Sequence, residues 1–137
     1  MVHALSEAHR VLKPDGLLID LRPAPAHRRL GIGQGRSWQL VGPLHEVLDD
    51  DHAADAAVAR VVRDGLFRLE KRFQFTLDRV MDNPDEVRDF IADFDQRRSL
   101  PPHTDLLERL ERKYARLRKP SKISVRGPMH LAVLRKL

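Results

Sequence analysis

Apolar positions at the start of the chain recur at helical spacing. Ala4, Leu5, Ala8, Val11 and Leu12 fall on one stripe and predict an amphipathic helix. Pro14 cannot continue that helix and biases Lys13 away from helical angles. Gly16 is expected to supply the unusual backbone angles of the turn that follows. Leu17 to Leu21 then form an apolar run interrupted only by Asp20. Such a run suits a strand covered on both faces, as in a parallel sheet.

Further along, the prolines of Arg22-Pro23-Ala24-Pro25-Ala26-His27-Arg28-Arg29 predict a loop. Gly31-Ile32-Gly33-Gln34-Gly35 reads as a flexible loop. A phosphate-cradling glycine motif should follow a buried strand at once and open a helix, and this stretch does neither. Trp38 to Val47 is expected to be a strand or a short hairpin around Gly42-Pro43. Asp49-Asp50-Asp51 offers capping and first-turn acids to a helix from about His52 to Arg63. Val58, Val61, Val62 and Leu66 form its apolar face, and Gly65 its C-terminal break. Three adjacent Asp point in different directions, so a helix cap is favoured over a metal cluster.

Phe73-Gln74-Phe75-Thr76-Leu77 alternates strictly and predicts a strand with one buried face. Asn83, Pro84 and Glu86 together form a helix start with a capping box, and Val87, Phe90, Ile91 and Phe94 follow as its core stripe. Another helix is expected from about Asp105 to Arg118. Its heptad-spaced Leu107, Leu110, Tyr114 and Leu117 are too few for a coiled coil, which favours core packing. Ile123–Val125 and Met129–Leu134 read as terminal strands joined by a bend at Gly127-Pro128.

The helix–turn–strand at the start carries a resemblance. Glu7, Arg10, Val11, Leu12, Lys13, Pro14 and Gly16 match the E-x-x-R-V-L-K-P-G-G-x-L segment of class I S-adenosylmethionine-dependent methyltransferases, with Asp15 in the first Gly position. In that family the segment joins the helix after the fourth strand to the fifth strand of a Rossmann-like sheet. Gly65-Leu66-Phe67, Phe73-Gln74-Phe75 and Asn83 to Ile91 resemble members related to the type 11 group. The resemblance implies an α/β fold: a partial Rossmann-like sheet with equivalents of strands five to seven, an antiparallel C-terminal hairpin and about four helices. Residues 1–137 then correspond to the C-terminal half of such an enzyme, as a single domain. The half that holds S-adenosylmethionine, with its Gly-rich loop and ribose-binding acid, has no counterpart here. The helix is already under way at Val2-His3-Ala4-Leu5, which suits a truncated gene product better than a natural start.

Composition narrows the reading further. At 137 residues the chain holds one domain at most. Its 42% hydrophobic content can support a core, and its 33% charged content suits a helix-rich soluble protein. The absence of cysteine excludes disulfides, thiolate metal sites and a Cys nucleophile. No apolar run approaches a membrane span and no signal-peptide pattern precedes the first helix, so a cytoplasmic location is expected. The net charge of +5 is uneven. Residues 36–58 carry one Arg against five acids, and residues 96–137 carry twelve Lys and Arg against three acids. A basic C-terminal third can attract nucleic acid. Only Tyr114 interleaves with those charges, however, which disfavours single-strand binding.

Methyl transfer needs alignment of nucleophile and cofactor, and in some cases removal of a proton. Asp20, Arg22 and His27 lie at or after the end of the first strand, where ligands of open α/β sheets bind. They are the candidate catalytic residues, with His27 as a potential base. Local structural contacts are the plainer expectation for all three. No cofactor-binding or metal-ligating set emerges. Three functions remain open: a methyltransferase-like fragment without independent activity, an enzyme completed by a partner or a swapped dimer, and a basic interaction module. A half sheet exposes the edge of its first strand, so a homodimer or association with a missing N-terminal half is expected.

Overall fold

The computed structural model describes residues 1–98 and 100–137. Their elements run α1 (Val2–Val11), β1 (Leu17–Pro23), β2 (Arg28–Ile32), β3 (Gln39–Leu44), α2 (Asp49–Arg63), β4 (Phe67–Met81), α3 (Pro84–Arg98), α4 (Thr104–Ala115) and β5 (Ile123–Lys136). This is an α/β chain with four helices and one open, antiparallel five-stranded sheet. The strand order is β1-β5-β2-β3, and β4 also pairs with β5. The chain forms two compact units. One comprises residues 1–26, 48–75 and 128–137, the other residues 27–47 and 76–127.

In the first unit, β1 pairs antiparallel with β5 from Leu17↔Arg135 to Pro23↔Met129. The expected parallel setting is therefore not found. Helices α1 and α2 pack against each other. With the strands they close a core of Leu5, Ala57, Val58, Val61, Phe67 and Leu134, flanked by Val2, Leu12, Leu18, Val62 and Leu66. Of the predicted α1 stripe, Leu5 alone is buried, and Val11 is exposed. Nor is β1 covered on both faces: Leu17, Ile19 and Leu21 are 47%, 64% and 55% exposed. Strand side chains alternate between faces. An unbroken apolar run therefore cannot report whether one face or two are covered, and here only the Leu18 face meets helices.

The same correction applies to β4. Gln74 reaches His130, which lies on the helix side near Asp55 of α2. Phe73 and Phe75 stand one residue to either side, so they face the other way, and both are exposed. The turn between α1 and β1 departs from expectation as well. The positive φ belongs to Asp15, at 60°. Gly16 is needed for space, because a Cβ there would sit 2.8 Å from the Lys13 carbonyl oxygen. The acids of α2 lie inside its first turn and make no side-chain cap, so they act on the helix dipole instead.

In the second unit, β2 and β3 form an antiparallel hairpin from Arg28↔Leu44 to Ile32↔Gln39, with a register shift between Leu30 and Gly31. β2 also pairs with the start of β5, from Arg29↔Arg126 to Ile32↔Ile123. The core gathers Leu30, Ile32, Val41, Leu44, Ile123 and Val125 from these strands. Val87, Ile91, Phe94, Leu106 and Leu110 join it from α3 and α4. The α3 cap is as predicted: Glu86 N–H donates to Asn83 Oδ1 at 3.0 Å. The expected capping box is not closed at the Asn83 N–H: Glu86 Oε2 accepts instead from the Asp82 N–H at 3.1 Å.

Several boundaries shift here. Gly31 and Ile32 are buried strand residues, not a flexible loop. Gly31 belongs there because the Trp38 indole lies over it, and a Cβ would come within 2.1 Å of the ring. The turn of the hairpin is the 3-10 segment Gly35–Ser37, and Gly42-Pro43 lies within β3. Arg22-Pro23 and Arg28-Arg29 belong to strands, leaving only Ala24 to His27 between them. β5 runs unbroken through Gly127-Pro128. Helix α4 ends at Ala115, three residues short of the expected Arg118.

Candidate functional site

Two clusters of charged and titratable side chains are built into the chain. The first lies on the helix-covered face of β1. Period-two alternation puts Leu18, Asp20 and Arg22 on that face together. Arg22 Nε donates to Asp20 Oδ2 at 2.8 Å, and its Nη2 donates to Asp55 Oδ1 of α2 at 2.5 Å. His130, the β5 partner of Arg22, brings Nδ1 to 3.6 Å from the same Asp55 oxygen. Gln74 of β4 puts its amide nitrogen 2.7 Å from His130 Nε2. The side chains of Asp20, Arg22 and His130 are 9–11% exposed. Arg22 Nη1 and His130 Nδ1 are buried without a hydrogen-bond partner among the described residues.

Burial alone would raise the Asp55 carboxyl, but the hydrogen bond and charge of Arg22 outweigh it and hold Asp55 below its ordinary value. Burial likewise opposes charge on Arg22, and its bonds to Asp55 and Asp20 more than compensate, raising it. Two carboxylates on one guanidinium leave little positive field to receive an anion. The cluster therefore works as an internal clamp between sheet and helix α2. The structure brings the candidates Asp20 and Arg22 together in this clamp.

The third candidate, His27, belongs to the second unit and makes its contacts there. Its Nδ1 accepts the Glu46 N–H at 3.1 Å. Glu46 in turn accepts from the Arg28 N–H at 3.1 Å and from Arg28 Nη1 at 2.9 Å, and Arg98 Nη1 lies 3.3 Å away. The His27 and His45 rings meet edge to face, with centroids 5.1 Å apart. His45 stacks on His103 at 6.4 Å, and the His45 N–H donates to His103 Nε2 at 3.0 Å. That bond makes Nε2 an acceptor, so the proton of the neutral ring sits on Nδ1 and points at Asp95 Oδ1, 2.7 Å away. Both ring nitrogens of His103 are engaged, and it is not placed to act as a base.

Asp55, His130 and Gln74 in one cluster, and Glu46, Asp95, His45 and His103 in the other, were not singled out from sequence. Signals existed for two of them. Asp55 continues the Val58–Val62 face of α2 at positions i−3 and i−7. Asp95 follows Ile91 by four on the buried side of α3. The others meet only through pairing of distant strands and loops.

No group of three or more His, Cys, Asp or Glu placed to hold a metal ion occurs among the described residues. The Gly31–Gly35 stretch does not fit a cofactor's phosphate or ribose. Gly31 is covered by Trp38, the Gly33 N–H donates to the Lys122 carbonyl at 2.7 Å, and the Ser37 N–H donates to the Gln34 carbonyl at 3.0 Å. No described helix is long and apolar enough to cross a membrane. Comparisons with protein families, with curated proteins and with solved structures returned no match.

Proposed function

We propose that this chain is a methyltransferase-like protein resembling the C-terminal part of a class I S-adenosylmethionine-dependent methyltransferase, without catalytic activity of its own. The observation that carries the reading is the segment Glu7–Leu17. It combines seven matched positions with a helix, a tight turn at Asp15-Gly16 and a strand in that order. On this reading β1, β4 and β5 are the equivalents of strands five, six and seven of a partial Rossmann-like sheet. The pairing of β4 with β5 supports it, as does helix α2 between β1 and β4. The β2–β3 hairpin and the α3–α4 pair are then additions to that frame.

Lack of independent activity is supported by the two clusters. Asp20 and Arg22 hold each other and Asp55, and His27 is engaged by Glu46. The glycine stretch offers no cradle. A second reading, an enzyme completed by another chain, draws on one observation: β1 pairs only with β5 among the described residues, so one of its edges is open. The cysteine-free composition suits a cytoplasmic setting.

Calorimetric titration with S-adenosylmethionine and S-adenosylhomocysteine tests the proposal. The expected result is no heat of binding and no rise in melting temperature. Micromolar binding to this chain alone would make the enzyme reading the better one. Salt-dependent binding of RNA or DNA in the absence of any methyl donor would favour a basic interaction module.

A further inference from the structure

We propose that the open edge of β1 pairs with the same edge of a second copy, in an antiparallel register with Ile19 opposite Ile19. This inference stands independently of the methyltransferase reading. It starts from which backbone groups are free. The Lys136 N–H donates to the Gly16 carbonyl, and the Ala24 N–H donates to the Pro128 carbonyl, both at 2.9 Å. The β1–β5 register between them is uninterrupted. Backbone groups alternate sides along a strand, so the even-numbered residues face β5. Leu17, Ile19 and Leu21 turn their N–H and C=O groups to the open edge. The next such residue, Pro23, has no N–H to offer.

The edge is therefore a set of three, Leu-x-Ile-x-Leu, that reads the same in both directions for pairing purposes. Antiparallel partners share a face, and faces alternate with period two, so only odd residues can oppose odd ones. Centring on Ile19 places Leu17 opposite Leu21 and uses every free donor and acceptor of both edges. Centring on Asp20 would set two like charges directly opposite. Centring on Leu21 would face Ile19 with the donorless Pro23. The side chains agree with the backbone. Leu17, Ile19 and Leu21 are the residues of β1 left most exposed, and two copies would lay the six of them in one stripe. No Lys, Pro or bulge within Leu17–Arg22 guards the edge against such pairing.

The chain has no cysteine, which makes the register directly readable. Opposed residues of a hydrogen-bonded pair have Cα atoms about 5.5 Å apart, within disulfide reach. Leu17 and its own copy would be about 13 Å apart along the strand. The wild-type chain should sediment at twice 15.8 kDa. Under mild oxidation Ile19→Cys should form a covalent dimer. Leu17→Cys and Leu21→Cys should each remain uncrosslinked alone and crosslink when mixed. Ile19→Lys should give a monomer with unchanged circular dichroism. A monomeric wild-type chain would overturn the proposal. So would crosslinking of Leu17→Cys by itself, or a dimer that survives Ile19→Lys.

Discussion

Asp95 holds His103 twice, by the ring and by the backbone. Its Oδ1 lies 2.7 Å from Nδ1, and its Oδ2 accepts the His103 N–H at 3.1 Å. One buried carboxylate thus fixes both the rotamer of the ring and the start of α4, whose N-cap position is His103. The ring then accepts from the His45 backbone beside β3, so a single acid ties α3, α4 and the end of the hairpin together.

Replacing Asp95 should therefore cost more than one exposed hydrogen bond. Asp95→Ala leaves two donors near His103 without an acceptor, and about 1–3 kcal/mol of stability should be lost. Asp95→Asn keeps one acceptor oxygen and should lose less. Urea unfolding of both variants checks the ranking; equal losses would mean that only packing is at stake.

The Arg22 clamp predicts a pH dependence. Asp55 is held below its ordinary value of 3.8 in the folded chain. A group with a lowered folded value contributes stability that is present above its unfolded value and is lost as pH falls through the folded one. Unfolding free energy should therefore drop as pH is taken from 5 to below 3. Asp55→Asn should start less stable at pH 7 and lose less over that range. Parallel pH profiles for the two proteins would remove Asp55 from the account.

Gly31→Ala tests the contact between β2 and Trp38. The added methyl would meet the indole, and the ring cannot simply retreat, because the Arg126 guanidinium stacks on it 4.2 Å from its centroid. The expected loss is about 1–3 kcal/mol. Trp38 is the only tryptophan, so a shift in its fluorescence emission should accompany the loss. An unchanged spectrum with unchanged stability would show that the hairpin accommodates the methyl.

Local chemistry made much of this chain readable. The α1–turn–β1 segment, the acids that open α2 and the Asn83–Glu86 cap all follow from residues within a few positions of one another. Long-range pairing was not readable in the same way. The run Leu17–Leu21 looks alike whether one face is covered or two, and only the β5 partner and the helices decide. Gly31 looks like loop material until Trp38 closes over it. Asp20 and Arg22 were visible as candidates because they end an apolar run. Their partners Asp55 and His130 come from 33 and 108 residues beyond Arg22; Asp55 is marked only by its place on the apolar face of α2, and nothing beside His130 marks it at all.

β5 contributes to both cores, through Ile123 and Val125 in one and Leu134 in the other. It is also the last of the five strands to leave a ribosome. Until it emerges, β1 has no partner and β2 has only β3, whatever the helices have done by then. Each unit therefore waits for its own stretch of β5, which ends at Gly127 in one and begins at Pro128 in the other. A nascent chain that has not yet reached Lys136 therefore presents the apolar residues of β1 and β4 to solvent together, and a chaperone's demand on this protein falls late in its translation.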